Sequence, residues 1–170
     1  MLNSRVVIRW AGVCLFLICA TITAAVEQSP KQEKSPDTMQ IERGRYLARI
    51  AGCNDCHTPG YTEKGGNVPE EEWLTGNPLG WRGPWGTTYP SNLRAYMNRV
   101  SESQWIKVAH TAQFRPPMPW FALHEMTEDD LQAIYSFVRY LGPAGNWAPV
   151  YVPPDKEPAG PYVQFPMPPK

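Results

Sequence analysis

Two thiols and an imidazole fall within five residues, Cys53-Asn54-Asp55-Cys56-His57. C-x-x-C-H is the spacing of covalent haem attachment. Thiols separated by two residues reach the two vinyl groups on one side of a porphyrin and form thioethers. The adjacent His57 then lies under the iron and offers its imidazole as the proximal ligand. Other uses of paired cysteines need partners that are missing. A zinc site wants more ligands at short gaps, whereas His110 and His124 stand fourteen residues apart. A redox disulfide of the thioredoxin kind wants a βαβ context, and none is visible. The expected cofactor is one haem c, held through Cys53 and Cys56 and ligated by His57.

A six-coordinate iron needs a second axial ligand. Met39, Met97, Met118, Met126 and Met167 are the sulfur candidates, and His110 and His124 the nitrogen ones. Met97 falls on an apolar helical stripe, Met126 stands beside a helix cap, and Met39 and Met167 lie near flexible ends. Met118 differs, because Pro116, Pro117 and Pro119 hold it in a stiff, non-helical segment with little conformational freedom to lose. A weak thioether–iron bond benefits from such preorganisation. With His57 and Met118 both bound, no coordination position is open, and methionine ligation raises the potential. That chemistry points to electron transfer. The alternative is a haem-based peroxidase or gas sensor with a displaceable Met118. Trp81, Trp85, Tyr89 and Trp120 are candidates to wall the haem, and Arg82 or Trp85 to reach a propionate.

The elements that must position these groups are mostly helical. Thr38 to Ala51 carries Met39, Arg43, Leu47 and Ile50 at spacings of four, four and three, with Gly44 and Tyr46 beside that stripe. From Thr58 to Pro90 periodicity disappears into a long Gly-, Pro- and Trp-rich loop, a length uncommon in a compact domain unless it wraps something. Leu93, Tyr96, Met97 and Val100 predict a short helix. Ser101 with Gln104 forms a capping-box pattern opening another through Ala112, with Trp105, Val108 and Ala109 inward. Thr127 with Asp130 opens the clearest helix, whose apolar face is Leu131, Ile134, Tyr135, Val138 and Leu141, and Gly142-Pro143 ends it. Pro143 to Lys170 holds nine prolines in 28 residues and reads as an extended tail, lying along a partner or strapped over the domain itself. No alternating run long enough for a sheet is found.

Met1 to Ala25 has the order of a secretory signal: Arg5 and Arg9, the apolar stretch Trp10–Ala20, then the small residues Thr23 and Ala25. The apolar run is short for a membrane span, which needs about 20 residues, so an uncleaved anchor is the lesser alternative. Cys14 and Cys19 are ordinary residues of that apolar stretch. Without the signal, 14 basic groups face 16 acidic ones, net −2, and nothing forms the basic stripe that nucleic acid requires. Export agrees with haem attachment outside the cytoplasm, so the expected location is the periplasm. The chain then divides into a signal (1–25), a flexible lead-in (26–37), a domain (38–142) and the tail (143–170). A core of that size is marginal alone, and an apolar prosthetic group would supply the missing burial.

The order helix, C-x-x-C-H, loop, Met, terminal helix resembles that of class I cytochromes c. More narrowly, GRYLARIAGCNDCHTPG, LTGNPLGWRGPWGTTYPSNLR, RPPMPWF and MTEDDLQAIYSFVRYLGP resemble cytochromes c associated with bacterial dehydrogenases and oxidases, over about Ile41 to Pro143. This chain departs from that subgroup in having a single haem motif, and in carrying Arg94-Ala95-Tyr96 where T-P-D often follows S-N-L. The resemblance implies an all-α class I fold and a periplasmic electron carrier serving redox protein partners, a dehydrogenase or oxidase. Tight binding as the cytochrome c subunit of such a complex is the variant of that reading. It also implies that P-P-M-P-W is the distal-ligand loop. In the resembled family a proline carbonyl orients the proximal histidine, for which Pro59, Pro69, Pro78 and Pro84 are the candidates. There too an aromatic of the last helix rests against a small residue of the first, which here pairs Tyr135 or Phe137 with Gly44.

Overall fold

The computed structural model describes residues 36–167. The proposed signal segment lies outside the described residues. Among those described, no helix is long and apolar enough to cross a membrane.

Helix α1 (Pro36–Ile50) opens with a proline where a missing amide costs nothing and has Asp37 in its first turn and Arg49 in its last, each favourable to the helix dipole. Gly52 stops it, in the left-handed region at φ 71°, where a side chain would be strained. The chain turns there directly into α2 (Cys53–His57), so the whole C-x-x-C-H motif forms one short helix. The inward face of α1 is Gly44, Leu47 and Ala48, with Ile41 packed beside them. This corrects the expected stripe: Met39 is 53% exposed and Ile50 61%. The face is set by where the helix must come closest to its neighbour, and that point is Gly44.

The neighbour is α6 (Glu128–Leu141). The Thr127 hydroxyl accepts from the Asp130 amide, three acidic residues occupy its first turn, and Gly142 follows its end at φ 67°. Leu131, Ala133, Ile134, Phe137 and Val138 are buried. A Cβ on Gly44 would collide with the Ala133 carbonyl and stand 2.7 Å from Phe137 Cβ, so the two helices cross with backbone nearly touching. Phe137, not Tyr135, is the aromatic at this crossing, while the Tyr135 hydroxyl donates to the Val100 carbonyl at 3.0 Å. Arg43 pairs with Asp130 across the same interface. Between them, α3 (Leu93–Met97) is capped by Asn92, and α4 (Glu102–Thr111) begins with the full Ser101–Gln104 capping box. Trp105 ties α4 to α6 by donating to the Leu131 carbonyl at 2.9 Å. Ile106, in place of Val108, joins the core from α4. The short α5 (Trp120–His124) follows the proline-rich segment.

The fold is not purely helical. Inside the supposed loop, β1 (Gly80–Gly83) pairs antiparallel with β2 (Gly86–Thr88), Gly83 facing Gly86 across a two-residue turn. From the tail, β3 (Tyr162–Gln164) adds parallel to β1, giving the order β2-β1-β3. The tail is therefore strapped over its own domain. Arg82 fastens it, donating to the Lys156 carbonyl at 2.8 Å and to Glu157 at 2.9 Å.

Candidate functional site

The motif helix is held from behind by a small polar network. Thr58, fully buried, donates its hydroxyl to Asn54 Oδ1 at 2.7 Å and accepts the Leu74 amide at 2.8 Å. The Gly76 amide donates to the His57 carbonyl at 2.8 Å. Leu74 is itself buried and left-handed at φ 59°, an uncommon state for a branched side chain that is kept here by the contacts on both sides of it. Its carbonyl in turn receives the amides of Leu93 and Arg94, so α3 and α2 are locked through one residue.

His57 is buried, and its Nδ1 donates to the Ser91 carbonyl at 2.7 Å, in the tautomer that leaves the Nε2 lone pair free. Ser91, whose carbonyl accepts this bond from 34 residues away, replaces the four prolines expected in that role. The Asn92 cap explains the choice: its side chain accepts the Ala95 amide at 2.9 Å and donates to the carbonyls of Ala144 and Asn146, fixing the backbone just where Ser91 must present its oxygen. Burial lowers the His57 pKa below the ordinary imidazole value, against the opposing pull of Ser91, so the ring stays neutral and able to ligate.

Cys53 and Cys56 are half-buried and are not joined to each other in a disulfide. Burial pushes Cys53 up to about 11, with Asp55 and Cys56 adding to the rise, and raises Cys56 as well, with Asp55 again assisting. Among the described residues, no cluster of His, Cys, Asp or Glu is suited to a metal ion.

Met118 is half-buried and packs against the core, as does Cys53. Its amide donates to the Arg115 carbonyl at 3.3 Å, and the Thr88 hydroxyl holds the adjacent Pro116 carbonyl at 2.7 Å. The rival ligands are occupied or remote in role. Met97 is completely buried in the helical core, Met126 packs beside it, and Met39 and Met167 are exposed. His124 Nε2 donates to the Ala112 carbonyl at 3.0 Å and His110 Nδ1 to the His124 carbonyl at 3.3 Å.

The residues present fit a haem in a further respect. Trp81 Nε1 is buried without a hydrogen-bond partner, which native structures rarely tolerate. A haem propionate is an acceptor of the kind it lacks. The expected donors are otherwise engaged: Arg82 with the tail, and Trp85 Nε1 with the Trp81 carbonyl at 3.3 Å. Trp81, Trp85, Tyr89 and Trp120 are all half-buried. Ser91, Thr58, Asn54 and the unpartnered N–H of Trp81 had no advance signal except the S-N-L cap that fixes Ser91.

A model of the family described as cytochrome c matches residues 41–142. The fructose dehydrogenase cytochrome subunit of Gluconobacter japonicus is 28% identical over 122 residues, covering 66% of this chain and 23% of that protein. The cytochrome c subunits of alcohol dehydrogenase (quinone) from Gluconacetobacter polyoxogenes and Komagataeibacter europaeus are each 26% identical over 168 residues, covering 91% of this chain and 30% of theirs. The chain thus spans less than a third of the length of these curated relatives. No solved structure matches significantly.

Proposed function

The chain belongs to the cytochrome c family, and from that premise we propose that it is an exported, single-haem electron carrier. Its haem c is joined to Cys53 and Cys56 and held between His57 and Met118. The observation that carries this reading is the setting of His57: buried, and turned by Ser91 so that Nε2 is the free nitrogen.

The haem supplies a one-electron couple when bound. The chain's own residues do the rest. His57 is prevented from rotating by Ser91, and its backbone is pinned by Gly76, so the ligand does not reorganise when the charge changes. Met118 would supply the second iron ligand and so leave no position for water or exogenous ligands. The unpartnered Trp81 N–H would donate to a propionate and so stabilise its charged form. Periplasmic location is supported by the N-terminal pattern of Met1–Ala25 and by the extracytoplasmic chemistry of thioether formation.

Partners belong to the same proposal. The relatives are cytochrome subunits of a fructose dehydrogenase and of quinone alcohol dehydrogenases, which favours a dehydrogenase as donor and permanent subunit status as a second reading. Size-exclusion of the native protein from its source separates free carrier from subunit. The haem claim is tested by extraction: the haem should stay with the polypeptide through acid–acetone and denaturing electrophoresis, and Cys53→Ala with Cys56→Ala should release it. Free extraction from the unaltered exported protein would refute it.

A further inference from the structure

We propose that the C-terminal tail, through Tyr151, is a positioning element for the Met118 ligand. The proposal rests on reading Met118 as the second iron ligand. The segment between α4 and α5 that carries Met118 makes few regular hydrogen bonds of its own; besides the His124 Nε2 bond to the Ala112 carbonyl at its start, two ties from elsewhere hold it. One is the Thr88 hydroxyl on the Pro116 carbonyl at 2.7 Å. The other is the Arg115 guanidinium, 4.0 Å above the centre of the Tyr151 ring. Arg115 also accepts the Met118 amide on its carbonyl, so wherever Arg115 sits, Met118 follows.

Tyr151 is itself anchored. Its hydroxyl donates to the Trp85 carbonyl at 2.8 Å, and its neighbour Val152 exchanges both backbone hydrogen bonds with buried Thr87, at 2.7 and 3.0 Å. Gly86 makes the seat: a Cβ there would come within 2.8 Å of the Tyr151 ring. Strand β2 therefore receives the tail on Thr87 and the ligand segment on Thr88, one residue apart. Tyr151 and Arg115 close that circuit from the tail side. A proline-rich extension read from sequence as strap or partner-binding arm is, on this account, part of the ligand's support.

The test uses the ferric holoprotein with imidazole as the competing ligand, read by loss of the weak long-wavelength sulfur–iron charge-transfer band. An exposed cation–π contact biases an equilibrium about two- to fivefold. Arg115→Ala and Tyr151→Leu should each raise apparent imidazole affinity by that factor, and the double variant by no more than either one alone. Arg115→Lys should restore most of the resistance, since the cation remains. Arg115 is exposed, so its truncation leaves the core intact, and circular dichroism with haem content checks both variants. Unchanged imidazole affinity in the single variants, or effects that multiply in the double, would overturn the positioning role. A charge-transfer band that survives Met118→Ala would instead remove the ligand reading beneath it. A band lost in Met118→Ala whose imidazole titration is indifferent to Arg115 and Tyr151 would overturn the positioning role alone.

Discussion

Gly44→Ala adds a single methyl group where α1 and α6 cross. In an exposed helix the change would stabilise by about 1 kcal/mol, because alanine is the better helix former. Here the new Cβ meets the Ala133 carbonyl and stands 2.7 Å from Phe137 Cβ. Neither obstacle can rotate away, since one is backbone and the other is fixed to the α6 backbone. Overpacking of this kind costs about 1–3 kcal/mol, and a backbone obstacle places it at the upper end, about 3. The net loss is then about 2 kcal/mol, or roughly 6–12 °C in Tm for a domain of this size. The assay is denaturant unfolding of the holoprotein followed by tryptophan fluorescence and by haem absorbance, whose transitions should coincide. The same crossing carries α1 into Gly52 and the C-x-x-C-H helix, so the variant should also lose haem–ligand absorbance at lower denaturant. Equal or greater stability in Gly44→Ala would mean that Gly44 is only a tolerated helix glycine, and the close crossing would be refuted.

Three further outcomes follow from the packing. Val138→Asp buries an unpaired charge at a fully buried position, costing several kcal/mol against a total of about 5–15, so no stable holoprotein should accumulate; normal yield would contradict the α6 face. Arg94→Leu strips the donor from the carbonyls of Glu71, Leu141 and Gly142 and should lower stability by about 2–4 kcal/mol in urea, with under 1 kcal/mol refuting the capping role. Trp81→Phe keeps the ring but removes the unpartnered N–H; the haem should stay attached and six-coordinate while the pH dependence of its potential shifts toward a higher propionate pKa, and an unchanged profile would release Trp81 from that role.

What sequence made legible was what local chemistry determines. The capping residues Ser101, Gln104 and Thr127 act within three positions of themselves, and α4 and α6 begin where they indicate. C-x-x-C-H is legible for the same reason, since all five of its residues fall in the single short helix α2. The sheet was hidden because its strands are three or four residues long, glycine-rich, and completed only by a tail segment some eighty positions away. Alternation cannot be read in so short a run. Ser91 was hidden because a backbone carbonyl carries no side-chain signature, and the loop that brings it to His57 closes through Asn92. On α1, a helical stripe was visible but its rotation was not, since Met39 and Ile50 looked as apolar as the residues that are buried. Gly44 was the better guide to that face. Arg94, which departs from the pattern of the resembled cytochromes, caps the end of α6 from inside the fold.

The charge-transfer band of the ferric protein tests the central claim most directly. A thioether-ligated ferric haem shows this weak long-wavelength absorption, and bis-histidine haems lack it. The native protein should show it near neutral pH and should bind carbon monoxide slowly when reduced. Met118→Ala should abolish the band with the haem still attached at Cys53 and Cys56, lower the potential, and admit carbon monoxide quickly. Met97→Leu and Met126→Leu should leave it in place, because volume-conserving changes in the core cost little. A native protein without the band that takes up carbon monoxide at once would contradict the closed site and the electron-carrier account built on it.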